Sequence, residues 1–387
     1  MRRLIRVILV VDTAREYERG LLRGIAKYAQ LHGPWTFLKK PAYYLQSTKA
    51  GLSIPQLRNF QADGIITCEG PLIQRILELN VPTIISPYKH SAFEDVPVIL
   101  PDSESIGRLG AEHLLACGFK HFAFCGFADL PWSQIRGECF ANTVRQAGYS
   151  CLFDHRPFTP KYRSGEKALH FLAQWLEDLP KPIGLMACND DCSQQVVEAC
   201  KMAQLRIPEE IAILGVNDDP MVCAFTNPPL SSIALDTDRA GYNAAELLDR
   251  IMSGQSSSGQ VVTVRATRVV RRPSTDIMAI DDPLASQALH YIRTHVRELI
   301  QVRDVAEAVN TSRSALERRF RRVLNRSVFQ EITHMRIDLM KQLLLETDVS
   351  VERIAYSLGY PSADHIARYF QQHAHMSPSQ YRASHHT

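Results

Sequence analysis

The sequence predicts two architectures in series. An α/β part of about 270 residues, in two lobes with parallel sheets covered by helices, comes first. An all-α part with two helix-turn-helix motifs follows. Three observations predict this. Short apolar, β-branched runs alternate with helically spaced segments up to residue 252, the pattern of parallel sheets covered on both faces. The alternation is too long for one compact sheet domain, so two similar lobes are expected. Finally, one short pattern occurs twice between Val302 and Phe370.

Residues 7–11 are apolar and β-branched and end at Asp12, which reads as a buried strand. Residues 21–31 place Leu21, Leu22, Ile25, Ala26 and Ala29 at helical spacing and stop at Gly33-Pro34. Further strands are predicted at 64–68, 83–86, 122–127, 183–188 and 211–216. Helices are predicted at 72–79, 106–116, 133–146, 168–176, 193–203 and 240–252, two of them ended by Gly118 and Gly148.

In the repeated pattern, Val302, Val305, Ala306 and Val309 fall at i, i+3, i+4 and i+7, as do Val351, Ile354, Ala355 and Leu358. Each set is one face of a short helix. A turn follows each, Asn310-Thr311 or Gly359-Tyr360-Pro361, and then a Ser suited to cap a helix, Ser312 or Ser362. The second helix carries an apolar pair four apart, Leu316/Phe320 or Ile366/Phe370. Helix, tight turn and a second helix with a polar outer face make the DNA-reading motif.

Hydrophobic residues at 45% and charged residues at 22% are ordinary for a soluble protein, so composition alone excludes a disordered or fibrous class. The net charge of +3 is unevenly spread. From Leu284 onward there are 14 Lys+Arg against 10 Asp+Glu, leaving 30 against 31 before it. Thirteen of those 14 cations are Arg, the side chain suited to phosphate and guanine. Nine Cys lie scattered between Cys68 and Cys223 with no C-x-x-C, and Cys188 and Cys192 come nearest to one. Such a set reads as reduced, buried thiols in a cytoplasmic protein rather than a metal site. The N-terminal apolar run is confined to residues 7–11 with no small-residue cleavage site after it. No run approaches the roughly 20 apolar residues needed to cross a membrane.

No G-x-G-x-x-G, P-loop, H-E-x-x-H or G-x-S-x-G is present. Ligands of parallel sheets bind beyond the carboxyl ends of the strands. The residues there are Asp12, Thr13, Glu69, Asn189, Asp190 and Asn217, followed by Asp218 and Asp219. The loop after Phe127 adds Trp132 and Arg136. Carboxylates, amides, one Arg fork and an indole face suit a polyhydroxyl ligand. Asp and Asn after strands also serve as helix N-caps, and that reading stands beside the ligand reading for each of them.

Asp102-Ser-Glu-Ser-Ile-Gly-Arg-Leu-Gly-Ala-Glu-His, Asn189-Asp190, Ile213-Leu-Gly-Val-Asn-Asp218 and Leu230-Ser-Ser-Ile233 resemble the LacI/GalR-type sugar sensors of periplasmic-binding-protein fold, over residues 5–272. The resemblance implies two lobes joined by three crossovers, with a sugar clamped between them and contacted by Arg136, Asn189 and Asn217. An Asp is usual at the position of Asn217. Residues 286–384 resemble the AraC/XylS regulators. That likeness rests on the doubled motif, Arg336-Ile-Asp-Leu-Met-Lys-Gln-Leu-Leu344 and Ser377-Pro-Ser-Gln-Tyr-Arg382. Met340 stands where a small residue is usual, and His375 where Gly is. The loop from Asp12 to Tyr17 and the Trp132…Arg136 pair also resemble such a sugar sensor, which implies Tyr17 among the ligand contacts.

The implied organisation is a sensor at 1–272, a linker at 273–284 and a reader at 285–387, with motifs at 302–323 and 351–372. Within the sensor the first lobe is expected at about 1–100 and 236–256, the second at about 101–232 and 260–272. The implied function is a cytoplasmic, D-xylose-dependent activator without a cofactor. Its implied partners are an operator in double-stranded DNA, RNA polymerase and a second copy of itself. Base contacts are expected from Ser314, Glu317 and Arg318, then from Ala363, Asp364, His365, Ala367 and Arg368. Arg313, Arg321 and Arg322 are expected on phosphates, with Arg336 bracing its helix or reaching phosphate. The rival readings are a regulator of this plan for another pentose or hexose, a sugar-metabolising enzyme with a helical accessory domain, and a sugar-binding module whose tail contacts a protein.

Overall fold

The computed structural model describes residues 4–39, 53–90, 93, 95–154, 165–255, 259–276, 282–347 and 349–385. The chain divides into two compact units, Met1–Ile277 and Met278–Thr387. Of the expected linker, residues 277–281 lie outside the described residues.

The first unit holds two six-stranded sheets. One is built from β1 (Ile5–Val10), β2 (Trp35–Lys39), β3 (Gly64–Cys68), β4 (Thr83–Ser86), β5 (Val98–Pro101) and β11 (Val261–Val264), in the order β11-β5-β4-β3-β1-β2, all parallel. The other takes β6 (His121–Cys125), β7 (Cys151–Asp154), β8 (Ile183–Ala187), β9 (Ile211–Val216), β10 (Ser231–Leu235) and β12 (Ala266–Val270), in the order β12-β10-β9-β8-β6-β7. There β12 runs antiparallel to β10 and the other pairs are parallel. The inner strands are apolar throughout, as strands covered on both faces must be: every residue of β8 and β9 is buried.

Helices cover the sheets. On the first lobe α1 (Glu16–His32) packs on α9 (Thr237–Met252). Their backbones touch: a Cβ on Gly24 would lie 1.9 Å from the Asp238 carbonyl oxygen, so only glycine permits this crossing. Also on this lobe are α2 (Ile54–Phe60) and α3 (Ile73–Leu77). On the second lobe α4 (Ser103–Ala116) packs on α5 (Pro131–Gln146), and Gly107 allows α4 to within van der Waals contact of the Arg136 carbonyl. That approach fixes the turn from which the Arg136 side chain departs. The second lobe is completed by α6 (Glu166–Asp178), α7 (Asp190–Met202) and α8 (Pro220–Phe225).

The chain passes between the lobes after β5, after β10 and between β11 and β12. The crossings hydrogen-bond to one another, Asp102 N–H to the Val264 carbonyl and Asp236 N–H to the Arg265 carbonyl, both at 2.9 Å. The third crossing corrects an expectation. Residues 260–272 were assigned whole to the second lobe, but β11 pairs with β5, and Val262 and Val264 join the core of the first lobe beside Val7 and Ile99. The lobe boundary falls at Arg265.

In the second unit α10 (Pro283–Thr294) precedes the two motifs. These are α11 (Val302–Ala308) with α12 (Arg313–Leu324), and α14 (Val351–Ser357) with α15 (Ala363–Ala374), linked by α13 (Val328–Glu346) and followed by α16 (Pro378–His385). Ser312 and Ser362 cap the second helix of each motif through Ala315 N–H (3.2 Å) and His365 N–H (3.4 Å). Leu316 and Phe320 are buried beneath the first motif. Ile354, Ile366 and Phe370 form one core with Ile337, Met340 and Leu344 of α13. Met340 is thus a core residue. His375 ends α15 in the left-handed region at φ 58°, the conformation that makes Gly usual there; a side chain at such a position costs about 1 kcal/mol.

Candidate functional site

Between the lobes of the first unit lies a cavity of about 620 Å³, the size of a small-molecule site. Asp12, Tyr17, Glu69, Trp132, Arg136, Asn189 and Asn217 all line it. Each sits just past a strand or in the first turns of the following helix, so the alternation of β and α aims them at one space. Thr13 and Asp190 do not line it. Thr13 is exposed, and its N–H donates to Asp12 Oδ1 at 2.7 Å.

Asp190 is turned away under the loop after β9 and is 2% exposed. It accepts from Ser232 Oγ at 2.6 Å and from Asp219 N–H at 2.8 Å. Burial pushes its pKa up to about 8, against those two hydrogen bonds. As the first residue of α7 its side chain points into the core, and its part is to hold the loop that carries Asn217. That loop is strained: Asn217 at φ 108° and Asp218 at φ 51° are both left-handed, as at many functional loops. Asp218 is tied by Arg272 at 2.7 Å.

Glu69 lines the cavity but is committed. Its Oε2 accepts from the N–H groups of Tyr88, Lys89 and His90 at 2.7, 2.7 and 3.1 Å, and its Oε1 meets His90 Nδ1. Burial opposes its charge, but these donors outweigh burial and hold its pKa below the usual carboxylate range. Glu69 therefore shapes the 88–90 loop rather than offering a vacant acceptor. Asn189 is divided. Its Oδ1 caps α7 by accepting from Cys192 N–H at 2.9 Å, which leaves its amide NH₂ for the cavity.

Arg136 is 3% exposed. Its Nη1 donates to the Cys188 carbonyl at 2.6 Å, and its guanidinium lies 4.9 Å from the centre of the Trp132 ring. Burial lowers its pKa to about 10. Tyr88 of the first lobe faces Trp132 of the second at 6.0 Å.

Four lining groups hold buried polar atoms with no hydrogen-bond partner among the described residues: Glu18 Oε2, Ser103 Oγ, Trp132 Nε1 and Arg136 Nε. Each such atom costs about 1–3 kcal/mol unless something enters to pair it. Two are donors, one is an acceptor and one is both. A molecule bearing several hydroxyls complements that set.

Sequence reasoning missed Glu18 and Ser103. It also missed the pairs that join the lobes. Arg15 of the first lobe holds Asp191 of the second through two contacts of 2.7 Å. Asp219 accepts from Glu16 N–H at 2.8 Å and Arg19 Nη2 at 3.0 Å. Arg15 and Asp219 are N-cap residues and the others lie in first helical turns, ahead of the apolar spacing that marks the helix.

In the second unit the outer faces of α12 and α15 are exposed and polar. Arg313, Ser314, Arg318 and Arg321 are exposed on α12, as are Asp364, His365 and Arg368 on α15, with Ala363 and Ala367 half-buried. Two expectations change. Glu317 is half-buried and its Oε2 accepts from Val328 N–H at 3.3 Å; three residues before Phe320, it faces the start of α13 and not the reading side. Arg336 is 4% exposed and donates to the carbonyls of Val296, Glu298 and Leu358. No phosphate can reach it, and it braces α13. Arg322 remains exposed but is paired at 2.9 Å to Asp282, which also holds Arg319 at 2.7 Å and caps α10.

A two-lobed ligand cleft followed by a doubled DNA-reading motif defines a DNA-binding transcription regulator. Residues 111–275 match the periplasmic binding protein-like domain and residues 305–384 the helix-turn-helix domain. Along 97% of its length the chain is similar to xylose operon regulatory proteins. It is 29% identical to that of Haemophilus influenzae, covering 98% of it, and 26% identical to that of Escherichia coli K12, covering 96%. The solved structure of the xylose-binding transcription activator xylR matches 99% of each chain with a TM-score of 0.82 at 25% identity. A cellobiose complex of the regulator CelR matches 70% of this chain and 84% of its own at TM-score 0.54 and 18% identity, a likeness of fold alone. These relatives are regulators, and the chain is a regulator rather than an enzyme.

Proposed function

We propose that the chain is a sugar-responsive activator whose effector is D-xylose, bound in the cleft of a sensor spanning 1–272. The reader at 285–387, joined by the segment 273–284, binds an operator in double-stranded DNA. The protein works in the cytoplasm as a homodimer and recruits RNA polymerase. The observation that carries the reading is the set of four buried, unpaired polar atoms on residues that line one cavity, beside the Trp132 ring. A pyranose supplies hydroxyls to those atoms and C–H groups to an indole face. The full-length relatives, by name xylose regulators, support the same choice.

Sugar acts only as far as it prefers the closed sensor. Arg15–Asp191 and Arg19–Asp219 bridge the two lobes. The test is operator affinity measured with and without D-xylose, alongside a thermal-shift panel of pentoses and hexoses. Tighter operator binding with xylose is expected, together with a rise in melting temperature. Unchanged operator affinity with every sugar in the panel overturns the reading. A response to a different sugar alone reassigns the effector, for which Asn217 in place of the usual Asp is the first suspect.

On DNA, Arg318 is proposed to read a guanine edge, with Arg313 and Arg321 on phosphates. Arg318→Ala is expected to cost about 1–3 kcal/mol at one base pair and to relax preference there. Binding measured over a panel of single-base operator variants checks this. Uniform weakening across the panel, with a shallower salt dependence, makes Arg318 a phosphate contact instead.

A further inference from the structure

The acids lining the cavity are not equivalent. Glu69 is held by three backbone N–H groups and His90. Asp191 is held by Arg15. Asp12 turns Oδ1 back on the N–H groups of Thr13 and Ala14. Glu16, beside them on α1, is held by Arg19 and Arg23. Asp102 caps α4 by accepting from Ser105 N–H, and Glu104 is exposed. Glu18 stands apart: its Oε2 is buried and has no partner among the described residues. Trp132 and Arg136, whose Nε1 and Nε donors are buried and unpaired, line the same cavity. A ligand hydroxyl that accepts from such a donor has its own proton left to give, and Glu18 Oε2 is the buried acceptor for it.

On the reading that this cavity takes a sugar, we infer that Glu18 is a specificity-determining residue that accepts a hydrogen bond from a ligand hydroxyl, and that only its carboxylate form binds well. Burial raises its pKa to about 7, against a hydrogen bond from its own backbone N–H. The charged neighbours act in opposite senses: Asp12 and Asp191 raise it further, while Arg15 lowers it. Tyr17 and Cys68, also facing it, are pushed up by burial and stay neutral through this range. Near neutral pH a large share of Glu18 is therefore protonated, and a protonated acid keeps only a neutral carbonyl acceptor, with which a hydroxyl pairs less strongly than with a carboxylate. Binding draws the proton off.

The test is titration calorimetry of the full chain with D-xylose at pH 6, 7 and 8, with pH 7 repeated in two buffers of different ionisation enthalpy. The wild type is expected to bind about tenfold more tightly at pH 8 than at pH 6, as the competent fraction grows. Release of about half a proton per sugar is expected at pH 7. Glu18→Gln is expected to bind more weakly than wild type at pH 8 with no pH slope, whereas His90→Gln keeps the slope. Sugar binding by the wild type without a slope or proton release overturns the inference and leaves the sugar reading intact. A slope that survives in Glu18→Gln does the same. Absence of D-xylose binding at all three pH values overturns the D-xylose reading, and the role of Glu18 that rests on it.

Discussion

Arg336→Ala is expected to unfold the DNA-reading unit at temperatures where the sensor stays folded. The guanidinium is a buried junction. It donates to the Val296 and Glu298 carbonyls after α10 and to the Leu358 carbonyl at the end of α14, and its face lies 4.9 Å from the centre of the Tyr360 ring. Removing it strands three carbonyls from two segments and opens a cavity in the middle of the unit. Lost hydrogen bonds at about 1 kcal/mol or more each, with the cavity added, come to about 3–5 kcal/mol. That is a large part of the stability of a domain this size. Calorimetry is expected to show one transition moved down by many degrees and a second, raised by added sugar, left where it was. Lys does not rescue, because an ammonium cannot hold carbonyls set around a planar fork. If Arg336→Ala melts like the wild type but loses DNA binding, the side chain is a phosphate ligand after all.

The same residue shows where sequence reading stops. In a reader rich in Arg, charge alone gives Arg336 and Arg318 equal claims on DNA. Burial separates them, and burial of a cation follows from where carbonyls converge, which no local pattern records. Most covered strands were legible because full burial demands an uninterrupted apolar run: residues 64–68, 83–86 and 211–216 match β3, β4 and β9 in extent. The edge strands β2 and β7 are partly exposed and carry no such run. They went unread, as did β12 and β11, whose alternating burial marks a strand covered on one side, and the short inner strands β5 and β10, the second of which begins with two serines. In the cleft, residues directly after strands were found because topology puts ligands there. Glu18, Arg15 and Ser103 lie at or just inside helix N-termini, where polar residues face the cleft and apolar spacing has not begun. Asp190 was misjudged for the opposite reason: it follows a strand, but as the first residue of α7 its side chain turns inward to Ser232.

Arg136→Leu is expected to abolish the sugar response while leaving the empty sensor at least as stable. The wild-type guanidinium is nine-tenths buried and more, and burial lowers its pKa to about 10. The fold thus disfavours its charge. No Asp or Glu among the described residues forms an ion pair with it, and its protein hydrogen bond is the one to the Cys188 carbonyl. Without ligand, the desolvation of this cation is a cost, offset in part by that bond and by the Trp132 face. Leu covers the same ring without the cost, so the melting temperature without sugar is expected to hold or rise. With ligand the balance inverts. The unpaired Nε and the charge are what a hydroxyl meets, and hydrogen bonds to a charged donor contribute about 1.5–3 kcal/mol each. Affinity for D-xylose is expected to fall about hundredfold or more, and the sugar-induced rise in melting temperature to disappear. A residue kept at the expense of stability is one that the ligand, not the fold, requires. The opposite result, a large loss of stability with sugar affinity retained in what still folds, makes Arg136 a structural strut and moves recognition to Trp132, Asn189 and Glu18.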